Sequence, residues 1–302
     1  MKESIKDSLK SYVEKVVSDA HLNKQNYFYF YDFRHNIFGG QMDPKFEKMF
    51  LDGDGNELTS KACAPHSSSM MGYNFFHWID KNNTFTIQFK DEKITYNEVC
   101  FEVKIPVLQP SRWDANMDIV LRNSVGDWLF IESKFLEYLK CEKFQISDTY
   151  KKNPTAYYCK GDEWKEFISH YDTSKKSQFW PGIKQEICHL IGLSNWMEGK
   201  TQISSIGFKN SKEEFPNHNI RFVNLVFEPN KDYTEEWKHF NEYQCRYAEL
   251  HESLKHTKLI PNRLQMEFMT YSQLWENLKQ NTLPDGLEEY LYEHYMQFSS
   301  AR

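Results

Sequence analysis

The chain has no long apolar run, no closely paired cysteines and no surplus of positive charge, and each absence removes a class of protein. Cys63, Cys100, Cys141, Cys159, Cys188 and Cys245 are widely spaced and form no C-x-x-C pair, which argues against a disulfide framework and a cysteine zinc site. No stretch approaches the roughly 18 apolar residues that a membrane span needs. The opening MKESIKDSLKSYVEKVVSDA mixes both charge signs and lacks the apolar core of a secretory signal. A reducing cytoplasm and no membrane partner are therefore expected. The histidines form neither an H-E-x-x-H nor an H-x-x-x-H pair, so a zinc hydrolase is poorly supported. With 37 Lys and Arg against 43 Asp and Glu, the net charge is -6, and any nucleic-acid contact must come from a local patch. A cation site built from carboxylates adds negative charge of its own, which a bound ion neutralises. No internal repeat or low-complexity linker interrupts the chain.

What is present is enough for a substantial core: 302 residues, 40% apolar, suffice for one large domain or two ordinary ones. The 16% aromatic content reads mainly as packing, with a stacking platform for bases or sugars as the alternative. Ile5, Leu9, Val13 and Val16 or Val17 recur at helical spacing and predict an amphipathic helix over 3–20. NYFYFYDFRHNIFGG, from Asn26 to Gly40, reads as a strand closed by two glycines. DGDGN at Asp52 to Asn56 resembles the start of a calcium loop, but Glu57 and Cys63 fall where a glycine and a bidentate glutamate are required. It is read as a turn.

Ser67 caps a mostly apolar helix running to Trp78. Extended segments follow at 84–90, 98–105, 116–122 and 127–135. Residues 140–180 are polar and lysine-rich and read as a long connection with one short helix at most. Lys140, Lys143, Lys151, Lys152, Lys160, Lys165, Lys175 and Lys176 could form a phosphate-binding patch or an ordinary solvated loop. Pro181 opens a helix with Ile183, Ile187, Leu190 and Ile191 on one stripe. A strand at 219–227 and helices at 233–256 and 285–297 complete the chain.

The chemistry gathers on two neighbouring strands. The two-residue period puts Glu132 and Lys134 on the same face. Asp118 interrupts an apolar run on the preceding strand, and the polar turn from Arg122 to Gly126 would fold the two into an antiparallel pair. Asp118 and Glu132 then lie side by side. Such a carboxylate pair suits Mg²⁺, which takes hard oxygen ligands. A neighbouring lysine adds a compact positive charge for phosphate oxygens. The bare pattern also arises as exposed carboxylates with a lysine paired to one of them.

The order of elements distinguishes these cases. Helix, three strands, helix and strand resemble the PD-(D/E)XK core, the restriction-endonuclease-like superfamily. HSSSMMGYNFF, FEVKIPV, NMDIVLRNSVGDWLFIESKFLEYL and PGIKQEICHL look like a bacterial branch of it, over roughly residues 65–228. The resemblance implies an α/β fold with a central mixed sheet flanked by helices, with helical additions at both ends. It divides the chain into an aromatic-rich extension at 1–64, a nuclease core at 65–230 and C-terminal helices at 231–302. Position by position, it implies that Asp118 and Glu132 hold Mg²⁺ or Mn²⁺ together with the Ser133 carbonyl, and that Lys134 is the catalytic lysine. Glu102 is the candidate for an added acidic residue, with Glu98 in reserve. Gln185 is nominated on the following helix, with His189 one turn later; either could instead face solvent. Met117 stands where the superfamily's name has proline. The implied activity is metal-dependent phosphodiester hydrolysis, with DNA as the expected substrate, in restriction, defence or repair. A homodimer is compatible with it. The competing expectation is a nuclease-fold protein that binds nucleic acid or protein without cutting.

Overall fold

The computed structural model describes residues 4–17, 21–23, 28–53, 57–109, 113–139, 147–174, 181–205, 208–209 and 219–300. Helix α1 (Ile5–Val16) is capped by the Ser4 hydroxyl, which accepts from Asp7 N, and buries Ile5, Leu9 and Val13. The expected strand over 26–40 does not form. Its first two residues lie outside the described ones, Phe30 makes only an isolated antiparallel bridge with Leu22, and most of 33–40 folds into two 3₁₀ turns, Phe33–Asn36 and Phe38–Gly40. Asp32 caps the first turn through Arg34 N, and Gly39 and Gly40 take φ of 71° and 68°. A local side-chain cap and paired left-handed glycines outweigh the alternation of the aromatics.

Helix α2 (Pro44–Asp52) has Asp43 as its cap and proline in its first turn. Helix α3 (Ser68–Phe76) starts at the Ser67 cap and is buried from Met70 to Phe76. Strands β1 (Phe85–Gln88) and β2 (Lys93–Tyr96) make a separate hairpin. The central sheet begins with β3 (Glu98–Leu108), β4 (Trp113–Arg122) and β5 (Trp128–Lys134), all antiparallel. Helices α4 (Asp148–Lys152) and α5 (Gly161–Ser174) occupy much of the segment expected to be a connection. Trp164, Ile168 and Tyr171 recur at helical spacing and are buried, a stripe masked in the sequence by the lysines between them. Lys140, Lys143, Lys175 and Lys176 lie outside the described residues. Lys152 pairs with Asp148 at 2.8 Å and Lys160 with Glu198 at 3.0 Å, so part of the envisaged patch is already neutralised.

Helix α6 (Pro181–Met197) crosses over to bring β8 (Ile220–Val226) parallel to β5, after the two-residue strands β6 (Ser204–Ser205) and β7 (Phe208–Lys209). Helix α7 (Thr234–Lys255), strand β9 (Leu264–Thr270), α8 (Tyr271–Leu278) and α9 (Leu287–His294) follow. The sheet order is β7-β6-β3-β4-β5-β8-β9, with β3, β4, β5, β8 and β9 as its long strands. The fold is thus the expected α/β, with a mixed central sheet between helices. The sequence reading did not include α2, α8 or β9, and β9 extends the central sheet.

One sheet face carries α6: Trp196 packs edge-on against Trp128 and Phe130, with ring centroids 5.3 and 5.4 Å away. The other carries α3 and α8. There the Ser133 hydroxyl donates to Ser68 O at 3.1 Å and lies 2.7 Å from the Tyr271 hydroxyl. Among the described residues no helix is long and apolar enough to cross a membrane.

Candidate active site

Every residue of β5 is buried, because the strand is flanked on both edges and covered on both faces. Two charged side chains in such a position need partners. Lys134 Nζ donates to Glu132 Oε1. Burial pulls the Lys134 ammonium toward neutrality, but Glu132 and Asp118 outweigh it and raise its pKa. The β4/β5 ladder pairs Ile119 with Ile131, so Asp118 is the next residue along, opposite Glu132. Its Oδ2 accepts the Ser133 backbone N–H at 2.7 Å. Burial and the neighbouring Glu132 push the Asp118 carboxyl up to about 8. Burial also raises Glu132, with Lys134 opposing it.

Glu102 lies across from Asp118 on the other side, between the paired positions Phe101–Ile119 and Val103–Met117. Its φ of 50° is left-handed, a strained conformation for a residue with a Cβ. The consequence is visible along β3. Phe101 packs against Phe50 and Tyr73 on the α2/α3 side, whereas Ile105, four residues on, lies against Gly192 of α6. The alternation breaks at Glu102, whose carboxylate is turned toward Gly53 at the end of α2. Burial, then Asp118, Glu57 and Glu132, raise its pKa well above the ordinary range. Glu98, the reserve candidate, is engaged elsewhere: Arg122 holds it in two contacts of 2.6 and 3.0 Å.

Helix α6 supplies the remaining neighbours. Gln185 is exposed, yet it lines the same cavity as Asp118 and Lys134. His189 is buried at 2% exposure, so the solvent-facing alternative does not hold for it. Its Nε2 lies 3.1 Å from the Asn116 carbonyl, which assigns the proton to Nε2 when the ring is neutral. Burial lowers its pKa to about 4, so the ring is neutral near pH 7. Nδ1 then presents a lone pair to Glu132 Oε2 at 3.4 Å, and neither atom has a hydrogen-bond partner. Two buried acceptors facing each other are an arrangement that a cation would satisfy. Behind them, Glu186 is fully buried and takes Asn224 Nδ2 at 3.0 Å and His251 Nε2 at 3.1 Å.

The site opens into a cavity of about 790 Å³. Its far wall comes from the N-terminal region: Tyr29, Tyr31, Glu57, Lys61 and the serines that start α3. Sequence reasoning missed these. In the sequence Glu57 stands out only where it spoils a calcium loop, whereas in the fold it forms a 2.5 Å ion pair with Lys61. No spacing in the sequence ties residues 29–61 to Asp118.

An αβββαβ core that gathers Asp118, Glu132 and Lys134 on adjacent strands defines a restriction-endonuclease-like protein. The model of a family described as Restriction Endonuclease associating with ARP matches residues 32–296. The chain belongs to that family. Neither a curated protein nor a solved structure matches it.

Among the described residues no group of three His, Cys, Asp or Glu side chains already converges to hold an ion. The donors nevertheless fit a divalent cation. Asp118 and Glu132 are hard oxygen donors on adjacent strands, Glu132 Oε2 is buried without a partner, and Lys134 already balances part of the charge.

Proposed function

We propose that the chain is a metal-dependent nuclease that hydrolyses phosphodiester bonds in nucleic acid, with DNA as its substrate in restriction, defence or repair. The observation that carries this reading is the Asp118–Glu132–Lys134 cluster at the head of the cleft, half-buried at Asp118 and buried at Glu132 and Lys134, with Glu132 Oε2 and His189 Nδ1 lacking hydrogen-bond partners. Asp118 and Glu132 would hold Mg²⁺ or Mn²⁺, with the carbonyl of Ser133, the residue after Glu132, as a further ligand. Such an ion supplies positive charge to the scissile phosphate and makes water easier to deprotonate near neutral pH. Lys134 gives its ammonium to the phosphate oxygens as charge develops there. Glu102 adds a carboxylate on the α2 side, and Gln185 contacts the substrate strand at the cavity edge. His189, whose neutral Nδ1 faces Glu132 Oε2 at 3.4 Å with no hydrogen bond between them, would add a nitrogen lone pair beside the same ion. Water enters the P–O bond, leaving a phosphate monoester and an alcohol.

The test is incubation with single- and double-stranded DNA and RNA in Mg²⁺, Mn²⁺ or chelator, with divalent-ion binding followed by calorimetry. Cleavage that needs the metal, and metal binding lost in Asp118→Ala, support the reading. A second reading, a binding protein that keeps the fold without cutting, is favoured by the Lys134–Glu132 pair, which engages the carboxylate that the first reading needs as a ligand. It takes over if the protein binds no divalent cation and cuts nothing in the panel.

A further inference from the structure

We propose that the cleft is built for a single-stranded or locally opened nucleic acid, whose unstacked bases lie against an aromatic wall formed by Tyr29 and Tyr31. This rests on the nuclease reading and names its substrate class. The first support is size. At about 790 Å³ the cavity falls within the ~300–1,000 Å³ of small-ligand sites, the scale of an unstacked nucleotide.

The second support is the wall itself. Tyr31 is 75% exposed, so core packing does not account for its ring. The ribbon that carries it is nonetheless fixed. Tyr31 N donates to His21 O at 2.7 Å, Asn23 N to Tyr29 O at 2.9 Å, and Phe30 N to Cys63 O at 2.9 Å. Phe30, at 2% exposure, is the buried anchor between the two tyrosines. A pinned backbone thus offers two rings to the cleft, and ordering them on binding costs little. Aromatic faces stack any base without reading its edge, which is the chemistry of single-strand binding.

The third support is continuity. The same cavity is lined by Lys61 and Ser69 on the tyrosine side and by Asp118 and Lys134 on the sheet side. Lys61 and Lys134 line the cavity that the wall faces, so both ammonium groups are available to the phosphates of a strand stacked there. Enzymes that act on a nucleotide buried in a duplex must first take it out of the stack, and an open strand removes that cost.

The experiment compares single-stranded DNA, single-stranded RNA, intact duplex and a duplex with an internal unpaired bubble, with 2-aminopurine at the expected cleavage position. Cleavage is measured with Mg²⁺ and with Mn²⁺, and stacking is read as fluorescence quenching in the Lys134→Met variant. Single-stranded DNA and the bubble should be cut while intact duplex is not, and the probe should be quenched on binding. Tyr29→Ala and Tyr31→Ala should each raise KM on single strands roughly 5- to 100-fold with kcat nearly unchanged, and Tyr31→Phe should restore it. Cleavage of intact duplex as fast as single strand, or a Tyr29→Ala/Tyr31→Ala double variant with unchanged KM, overturns this inference and leaves the nuclease reading standing. Cleavage of no substrate with either metal overturns both.

Discussion

Glu132 meets two demands with two oxygens. Oε1 takes the Lys134 ammonium, while Oε2 faces His189 Nδ1 with no hydrogen bond between them. Replacing the carboxylate by its amide, in Glu132→Gln, keeps the volume and removes the charge. We expect calorimetric affinity for Mg²⁺ or Mn²⁺ to fall and cleavage to stop, with partial recovery at high Mn²⁺. Lys134→Met keeps the aliphatic stem and should lower kcat roughly 10²–10³-fold while metal affinity stays near wild type, because the ammonium acts on the transition state. Loss of metal binding in Lys134→Met would instead make the lysine a structural partner of Glu132. Asp118 gives a pH test. Its folded pKa of about 8 lies above the unfolded value of about 3.9, so the folded protein keeps a proton that the unfolded chain has released. That contribution is fully present below about pH 4 and is lost as pH rises toward about 8. Thermal unfolding in chelator should therefore show wild-type stability falling across this window. Asp118→Asn should flatten the fall and exceed wild type at pH 8 by roughly 1–4 kcal/mol. Saturating Mg²⁺ should reverse the order by stabilising wild type alone.

At the level of elements, the site depends on how closely α6 sits on β3. A Cβ at Gly192 would lie 2.5 Å from Ile105 Cγ2, a branched side chain in a buried strand with little room to move. Gly192→Ala should shift α6 outward and lower the denaturant midpoint, at a cost of roughly 1–3 kcal/mol. It should also weaken metal binding, since His189 lies one turn earlier on the same helix. An unchanged midpoint would mean that α6 is held elsewhere. The elements that build this contact were legible in the sequence. Helix α3 announced itself through Ser67, α6 through Pro181 and its aliphatic stripe, and β4 and β5 through the polar turn between them. That turn set the register, and the register brought Asp118 opposite Glu132. Other elements were hidden by local competition. The aromatic run at 28–40 alternates like a strand, but Asp32 and two left-handed glycines decide its backbone. In β9, Glu267 interrupts the apolar pattern because Arg221 reaches it from β8, and a cross-strand ion pair has no signature along one strand. The bend at Glu102 is likewise a tertiary effect. A glutamate at φ 50° is held there by the sheet and α2, and its own sequence neighbours do not require it.

For the molecule as a whole, charge decides how it meets a polyanion. A net charge of -6 gives no general attraction, and the lysine-rich stretch is partly spent on internal pairs. Asp148 holds Lys152, and Glu198 holds Lys160. The cleft itself offers Lys6, Lys61 and Lys134, of which Lys61 and Lys134 must exchange Glu57 and Glu132 for phosphate. If these make the phosphate contacts, single-strand binding should depend on salt with a log–log slope of about −2 in the wild type and about −1.4 in Lys134→Met, from ~0.7 per phosphate neutralised. A protein relying on the lysine-rich stretch would give a much steeper slope. Binding of labelled single strand by Lys134→Met should therefore be titrated across salt concentrations at fixed Mn²⁺. Adding Lys61→Gln should make the slope shallower by about 0.7, whereas Lys151→Gln with Lys152→Gln should leave it unchanged. The opposite pattern would move the phosphate path off the cleft and onto α4. Because Lys61 pairs with Glu57 at 2.5 Å, its removal also frees a carboxylate facing the substrate. Affinity in Lys61→Gln should thus fall further at low salt than the slope alone accounts for, and Glu57→Gln in the same background should restore that excess.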